Sequence, residues 1–456
     1  MRIVTERIEI RHRFSPLVER MDREGDNLAI QRLNFTPITF AAPDTHCAEA
    51  LMLLDGTGTT RQNLITNAGV GDNSNATETI DYYLGRFCYG RLLKWDITLD
   101  GESIVRISSQ DRQFGPNETE TPPQNFAFPR FAWLRRDGED MILESAESRG
   151  RMILSSRAIA LLGDLSETPE DEVTRAFGAA LWRFGFLEDA SATESPARKT
   201  WQFHDKLMHE MSRFNFDDTT PGATYRFKDV MPSPPALKPD MLGTPIQLPE
   251  IDVGKIGQNS ASLHDIMDRR ISGRDYGTSI LSLADLASFL YRVARTDKVN
   301  PDPSQDTLSR PFPSGGSIHE LEFYVAVRQC EGLTPGLYHY QGQNHRLLHL
   351  PDSETASQQM HMISAACMGQ TDSPADTLIV ITSRLPRIAW KYETISYRTS
   401  LLNAGVALQT MYLVATDMGL QGCANGLGDS RLFEAATGLD PFEETAITEF
   451  ALSAAS

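Results

Sequence analysis

The sequence predicts an α+β chain in several parts, with two small helix-and-strand modules, an extended joint and a larger C-terminal α+β domain. Three observations carry this. A strand-and-helix order occurs twice before residue 190. Seven prolines fall between residues 217 and 249 with few periodic apolar positions, which marks an extended segment. From Ala261 onward, amphipathic helix patterns alternate with short apolar strand patterns.

The first module opens with the strand-like LAIQRLNF from Leu28. Helix patterns follow at Ala48–Gly56, Thr60–Ala68 and Ala76–Leu93, and the strand KWDITLDGE closes it. The second module, about Phe131 to Leu187, has the strand DMILESAE and helices at Ser155–Leu165 and Thr168–Glu188. In the latter, Thr168, Glu170 and Asp171 stand near the N-terminus, where the helix dipole favours acids. Short helices closing on a strand pair suggest tandem winged-helix-like units, assigned to residues 1–110 and 111–195. Such units bind peptides by adding a strand at an exposed edge, or serve purely structural roles.

Residues 196–250 are expected to form a helix and a Pro-rich linker. The helix, WQFHDKLMHEMSRF (Trp201–Phe214), is amphipathic through Phe203, Leu207 and Met211. Its His204 and His209 are five apart, so they do not share a face as metal ligands would, and packing is the expected role. The last domain, 251–456, contains a helix capped by Ser282 with apolar residues at Leu283, Leu286, Phe289, Leu290 and Val293. LEFYVAVR reads as a strand, GLYHY and HRLLHL as a hairpin around QGQN, and LIVITSRL as a buried central strand. Leu401–Gly419 is apolar on nearly every face and reads as a buried helix, with ITEFALSAA a closing strand.

The 456 residues include 43 Lys plus Arg against 61 Asp plus Glu, a net charge of −18. That balance argues against general binding of nucleic acid or anionic membrane. Five scattered cysteines without a CxxC pair suit a reducing compartment. The charged N-terminus does not read as a signal peptide, and no run approaches a membrane span. The expectation is a cytoplasmic protein without nucleic-acid or membrane partners, and no metal site is expected.

Four segments could carry chemistry. In DRRISGRDYG, Arg269, Arg270 and Arg274 surround Ser272; guanidinium forks and a hydroxyl suit a phosphate, while a solvated basic helix end would look the same. In RPFPSGGSIHELEFY, Gly315 and Gly316 let backbone approach a flat ligand, and Ser314 and Ser317 can donate to it; an ordinary turn is the alternative. Lys391 and Tyr392 lie between the buried strand and the buried helix, where loops often hold catalytic groups. Such side chains ordinarily ionise near pKa ~10, so a base at neutral pH needs burial or a neighbouring cation. Finally, GLQGCANGLGD offers free amides around Gly426, or simply follows a helix C-cap.

Together and in this order, these segments resemble the FMN-dependent nitroreductase-like family, and more narrowly its azoline dehydrogenase branch, which includes the cyanobactin oxidases. The likeness covers Ala261–Ser456, and the front half is similar to long members of that branch. It implies that Arg270, Ser272 and Arg274 hold the phosphate and ribityl oxygens of FMN. Pro313, Ser314, Gly315, Gly316 and Ser317 correspond to the loop beneath the isoalloxazine. Gly426 and Leu427 correspond to the loop whose amides face the hydride-accepting ring edge. Lys391 and Tyr392 match the catalytic pair that ordinary nitroreductases lack.

The implied function is oxidation of thiazolines or oxazolines in a heterocyclised precursor peptide to the aromatic azoles. Molecular oxygen would reoxidise the flavin, and a homodimer would build the site. Two alternatives stand beside it: an NAD(P)H-dependent nitro or quinone reductase, and a non-catalytic peptide-binding scaffold.

Overall fold

Strand β1 (Ile8–Phe14) alternates side chains and pairs antiparallel with a distant strand, Ile10 opposite Ile97. After it come β2 (Val18–Glu24), β3 (Asn27–Arg32) and β4 (Phe35–Ala41), a separate meander. Next are α1 (Thr45–Leu51), capped by the Asp44 carboxylate, α2 (Arg61–Ala68), capped by Thr60, and α3 (Ala76–Tyr89). The chain continues through β5 (Leu93–Leu99), β6 (Glu102–Ser109), β7 (Phe126–Ala127), β8 (Ala132–Asp137), β9 (Asp140–Ser145) and β10 (Gly150–Leu154). Then follow α4 (Ser156–Asp164), α5 (Glu172–Arg183), β11 (Glu188–Asp189), α6 (Pro196–Lys199) and α7 (Phe203–Met211). This computed structural model describes residues 7–33, 35–69, 75–109, 111–165, 171–213, 222–370 and 373–454. The chain divides into two compact units, Met1–Thr219 and Thr220–Ser456.

In the first unit the helix-then-hairpin order holds for α1, α2, α3, β5 and β6. The second module differs, because β8, β9 and β10 precede α4 and α5. The two modules are also not separate: β6 pairs with β10, Val105 opposite Leu154, giving one six-stranded sheet β1-β5-β6-β10-β9-β8. Ile80, Phe87, Trp95, Met152, Phe177 and Leu181 share one core beneath it. Asp171 caps α5, accepting from the Thr174 amide, while Thr168 and Glu170 lie outside the described residues. On α7 the buried side chain is Glu210, held by Lys206 and Arg149. His204 is exposed rather than docked, and His209 stands edge-on to Trp201.

The second unit contains β12 (Thr244–Gln247), α8 (Val253–Asn259), α9 (Leu263–Arg269), α10 (Leu283–Ala294), β13 (Lys298–Asn300) and β14 (Thr307–Ser309). After these come β15 (Leu321–Val327), β16 (Gly336–Gln341), β17 (Arg346–His349), α11 (Glu354–Met368), β18 (Thr377–Ser383) and α12 (Leu385–Ala389). The chain ends with α13 (Ser396–Met418), β19 (Gln421–Asn425), α14 (Ser430–Thr437) and β20 (Thr445–Ser453). An antiparallel sheet of order β12-β17-β16-β15-β18-β20-β19 is covered on both faces. Phe323, Val325, Ile379 and Ile381 pack toward α10 and α13, whereas Tyr324, Ala326, Leu378 and Val380 pack toward α11 and α14. Two covered faces explain why these strands read as unbroken apolar runs.

The Pro-rich segment, read from sequence as a linker, is a strap fastened to this unit; its Pro221 lies outside the described residues. Arg384 donates to the Pro235 carbonyl, fully buried Arg387 to Pro234, and the Trp390 indole to Met231. Its far end becomes edge strand β12. Prolines suit a strap that accepts hydrogen bonds through carbonyls while offering few amides. Helix α13, expected to be buried all round, exposes Tyr397, Leu401, Leu402 and Val406. No helix among the described residues is long and apolar enough to cross a membrane.

Candidate functional site

Lys391 and Tyr392 leave the end of α12, where their amides donate to the Ile388 carbonyl, so both side chains project from a fixed turn. Lys391 Nζ donates to the Gly316 carbonyl at 3.4 Å and lies 5.6 Å from the centroid of the Tyr392 ring. The Pro313–Ser317 loop meets them with Gly316 at φ +62° and Ser317 at φ +57°. Glycine suits the contact, because its φ of +62° disfavours a side chain and a Cβ on Gly316 would stand 2.5 Å from Tyr392 Oη and 2.8 Å from Lys391 Nζ, so that the pair would have to move. A Cβ on Gly315 would collide with Thr399. The structure thus brings the glycine loop and the Lys-Tyr pair together.

Beneath the loop is a polar network that the sequence reading missed. Asn403 on α13 accepts from the Gly315 amide at 3.1 Å and donates to Ser314 Oγ at 3.0 Å. Fully buried Glu320 accepts from Asn403 Nδ2 and Ser400 Oγ, each at 2.9 Å, and Ser314 Oγ accepts from the His319 amide. Buried polar groups are costly unless bonded, and here Asn403 and Ser314 bond backbone amides at the loop, while Glu320 holds those two side chains and Ser400 holds Glu320. Their signal was an acid at the start of an apolar strand and an amide inside an apolar helix. Asp302 is close enough to interact with Lys391; its carboxyl is held below the usual range first by the Ser304 and Gln305 amides, with Lys391 adding to the effect.

The arginine motif lies elsewhere in this unit. Arg270 lies over the Tyr412 ring at 5.4 Å, and Ser272 Oγ is 3.2 Å from Tyr412 Oη, which also accepts from the Ala424 amide at 2.8 Å. The Gly273 amide donates to the Gly422 carbonyl, tying the motif to β19. Arg269, Gly273, Tyr412, Thr416 and Gln421 help line a cavity of about 180 Å³. Arg274 is exposed, and among the described residues neither it nor Arg270 pairs with a carboxylate, which leaves both guanidiniums suited to an anion such as a phosphate.

Past β19, Gly426 is exposed with open space where a Cβ would stand. The Leu427 amide, expected to face a ring edge, donates instead to Asn425 Oδ1 at 3.1 Å. Asn425 Nδ2 in turn donates to Ser364 and to Glu449 Oε2 at 3.2 Å. Burial pushes the Glu449 carboxyl up to about 7 against the opposing effect of its hydrogen bonds with Asn425 and Ser364. Among the described residues no group of three or more His, Cys, Asp or Glu side chains could hold a metal ion.

A bare-backbone loop beside an amine and a phenol, with unpaired guanidiniums on a second cluster, suits a flat anionic cofactor such as FMN. The two clusters hang from one helix, Asn403 and Tyr412 being nine residues apart along α13.

Residues 266–448 match the model of the Nitroreductase family, and residues 126–217 match that of the cyanobactin oxidase ThcOx. The chain is 30% identical over 162 residues to the trifolitoxin-processing protein TfxB of Rhizobium leguminosarum bv. trifolii, covering 35% of this chain and 43% of that protein. It therefore spans less than half the length of that relative. Among solved structures, the Escherichia coli microcin synthetase McbBCD complex with truncated pro-MccB17 bound is 17% identical, with TM-score 0.36, covering 54% of this chain and 85% of that one. A nitroreductase family protein of Clostridium difficile 630 is 13% identical, with TM-score 0.29, covering 43% and 86%. Residues 266–448 of this chain are thus a nitroreductase-family domain, behind a front half that carries a cyanobactin-oxidase segment.

Proposed function

We propose that this protein oxidises thiazolines or oxazolines of a heterocyclised precursor peptide to thiazoles or oxazoles, using FMN. The observation that carries the proposal is the seating of Lys391 and Tyr392 directly on the Gly316 loop, in a domain of nitroreductase type. The front segment matching a cyanobactin oxidase model, and a relative named for trifolitoxin processing, support a peptide substrate.

Aromatisation removes a proton from the azoline carbon next to the carbonyl and a hydride from the adjacent methylene. FMN, when bound, supplies the hydride acceptor, with molecular oxygen as terminal oxidant. Lys391 Nζ takes the proton, and Tyr392 Oη, at the same loop, orients the ring being oxidised. Pro313, Ser314, Gly315, Gly316 and Ser317 present backbone to the face of the cofactor, while Arg270, Ser272 and Arg274 hold its phosphate end. Gly426 and Leu427 border it.

Asn403 and Tyr412 anchor their clusters about 180° apart around α13 at 100° per residue, so a flavin touching both must bridge around the helix or take one cluster from a second copy, and the second arrangement is the one proposed. Exposed Leu263, Met267 and Ile271 near the arginine motif, and Leu401 and Leu402 on α13, form the apolar surface such a dimer would cover.

The test is Lys391→Ala purified with FMN bound and given a peptide bearing one thiazoline. Loss of the two-dalton mass decrease, with wild-type turnover intact, is the expected result. Full turnover by the variant removes Lys391 as the base. Rapid flavin bleaching by NAD(P)H without azole formation by the wild type would favour a nitro or quinone reductase instead.

A further inference from the structure

The strap that fastens residues 222–236 to the second unit passes beside Lys391. Ala223 bridges antiparallel to Tyr392, and the amides of Thr224 and Tyr225 both donate to the Lys391 carbonyl, at 3.0 and 3.3 Å. Tyr225 has φ +49°, a left-handed conformation uncommon for a bulky residue. Its ring is set edge-on to Trp390 at 5.8 Å, and Trp390 is itself tied to the strap through Met231. So held, the Tyr225 ring centroid lies 5.9 Å from Lys391 Nζ. Strained backbone of this kind persists where the surroundings over-determine it, and it concentrates at functional positions.

We propose that Tyr225 is a positioning residue for Lys391, its ring closing a slot for the amine whose other sides are the Tyr392 ring and the Gly316 carbonyl. The inference rests on Lys391 being the base proposed above. Two consequences follow from the slot. A lysine stem has several rotatable bonds, and two rings 5.9 and 5.6 Å from Nζ together with the Gly316 carbonyl restrict its rotamers before substrate arrives. As Nζ accepts the proton it becomes an ammonium, and the faces of two aromatic rings are attractive sites for that developing charge. The slot therefore acts on the chemical step more than on substrate binding.

The experiment uses the full-length protein with FMN and a synthetic peptide bearing a single thiazoline. Tyr225→Phe keeps the ring, while Tyr225→Asn removes it and leaves a residue tolerant of positive φ; Tyr225→Leu serves as a second ring-less variant should the asparagine variant fail to fold. The phenylalanine variant is expected within about twofold of the wild-type kcat. The ring-less variants should lose about tenfold in kcat, in line with a cation–π contact, with KM within about twofold.

A readout independent of turnover is the NMR of protein reductively methylated with 13C-formaldehyde, in which Lys391→Arg assigns the Lys391 methyl resonance. Ring currents should hold it upfield in the wild type and Tyr225→Phe, and it should move toward the free dimethyl-lysine position in Tyr225→Asn. Wild-type kcat in the ring-less variants, or an unmoved resonance, overturns the proposal. Retained turnover in Lys391→Ala would overturn the base assignment instead, with the resonance still reporting the slot.

Discussion

Glu449 provides a quantitative test of how the loop after β19 is supported. Its carboxyl is buried beside Asn425 and Ser364, and burial raises it from 4.5 to about 7. The folded protein therefore keeps a proton that the unfolded chain releases as pH rises from about 4.5. The contribution of Glu449 to stability is greatest below that pH, falls as pH climbs toward 7, and is flat above. At 1.36 kcal/mol per pKa unit, the deficit at pH 8 is about 3 kcal/mol. Glu449→Gln removes the titration: its amide oxygen can accept from Asn425, and its NH₂ stands where the protonated carboxyl would carry its hydrogen. The variant should match the wild type near pH 4.5 and exceed it by about 3 kcal/mol at pH 8. Urea unfolding followed by pulse labelling of Cys423, which is buried on β19 opposite Ala451, reports this unit alone when read by peptide mass. A stability difference that is the same at pH 5 and pH 8 would refute burial as the cause.

Two further outcomes follow from the site. Gly316→Ala places a Cβ against Tyr392 Oη and Lys391 Nζ at φ +62°; it should cost about 1–2 kcal/mol in thermal stability and lower azole formation at least about tenfold by prising the pair off the loop. Leu402→Asp adds a charge to a side chain 59% exposed, so the fold should change by no more than about 0.5 kcal/mol. Sedimentation should nevertheless shift from dimer to monomer, with loss of flavin absorbance, and a variant that stays dimeric with flavin bound refutes the α13 interface.

Local chemistry was the legible part of this chain. Ser282 caps α10 by accepting from the Asp285 amide at 3.0 Å, and of the apolar positions named from spacing Leu286, Phe289, Leu290 and Val293 are buried while Leu283 is half-buried, with Ala287 and Ala294 filling the same face. The Gly315–Gly316 loop and the Lys-Tyr pair could be named separately, but their contact, made across 75 residues of sequence, could not. Long-range register was likewise invisible: nothing near Val105 says that it will face Leu154 and merge two modules into one sheet. Proline content suggested a free linker, because sequence shows the missing amides and not the buried arginines that collect the carbonyls. Asn403 and Glu320 were legible in principle, since a polar residue set in an apolar run must find a partner or pay for its burial.

The placement of those partners bears on how many chains make one site. Asn403 reaches the glycine loop from the N-terminal half of α13, and Tyr412 reaches the arginine motif and β19 from its C-terminal half. Nine residues at 100° each carry the chain two and a half turns, so the two anchors leave opposite sides of the helix, about 13 Å apart along its axis. A rigid helix holds that separation fixed. A single ligand touching both clusters must therefore bridge around α13 or receive one cluster from another copy. The apolar side chains that α13 exposes near these anchors, Leu401 and Leu402 just before Asn403 and Val406 just after it, favour the second arrangement, because a surface that a monomer would leave wet is the one a second copy of this helix would cover.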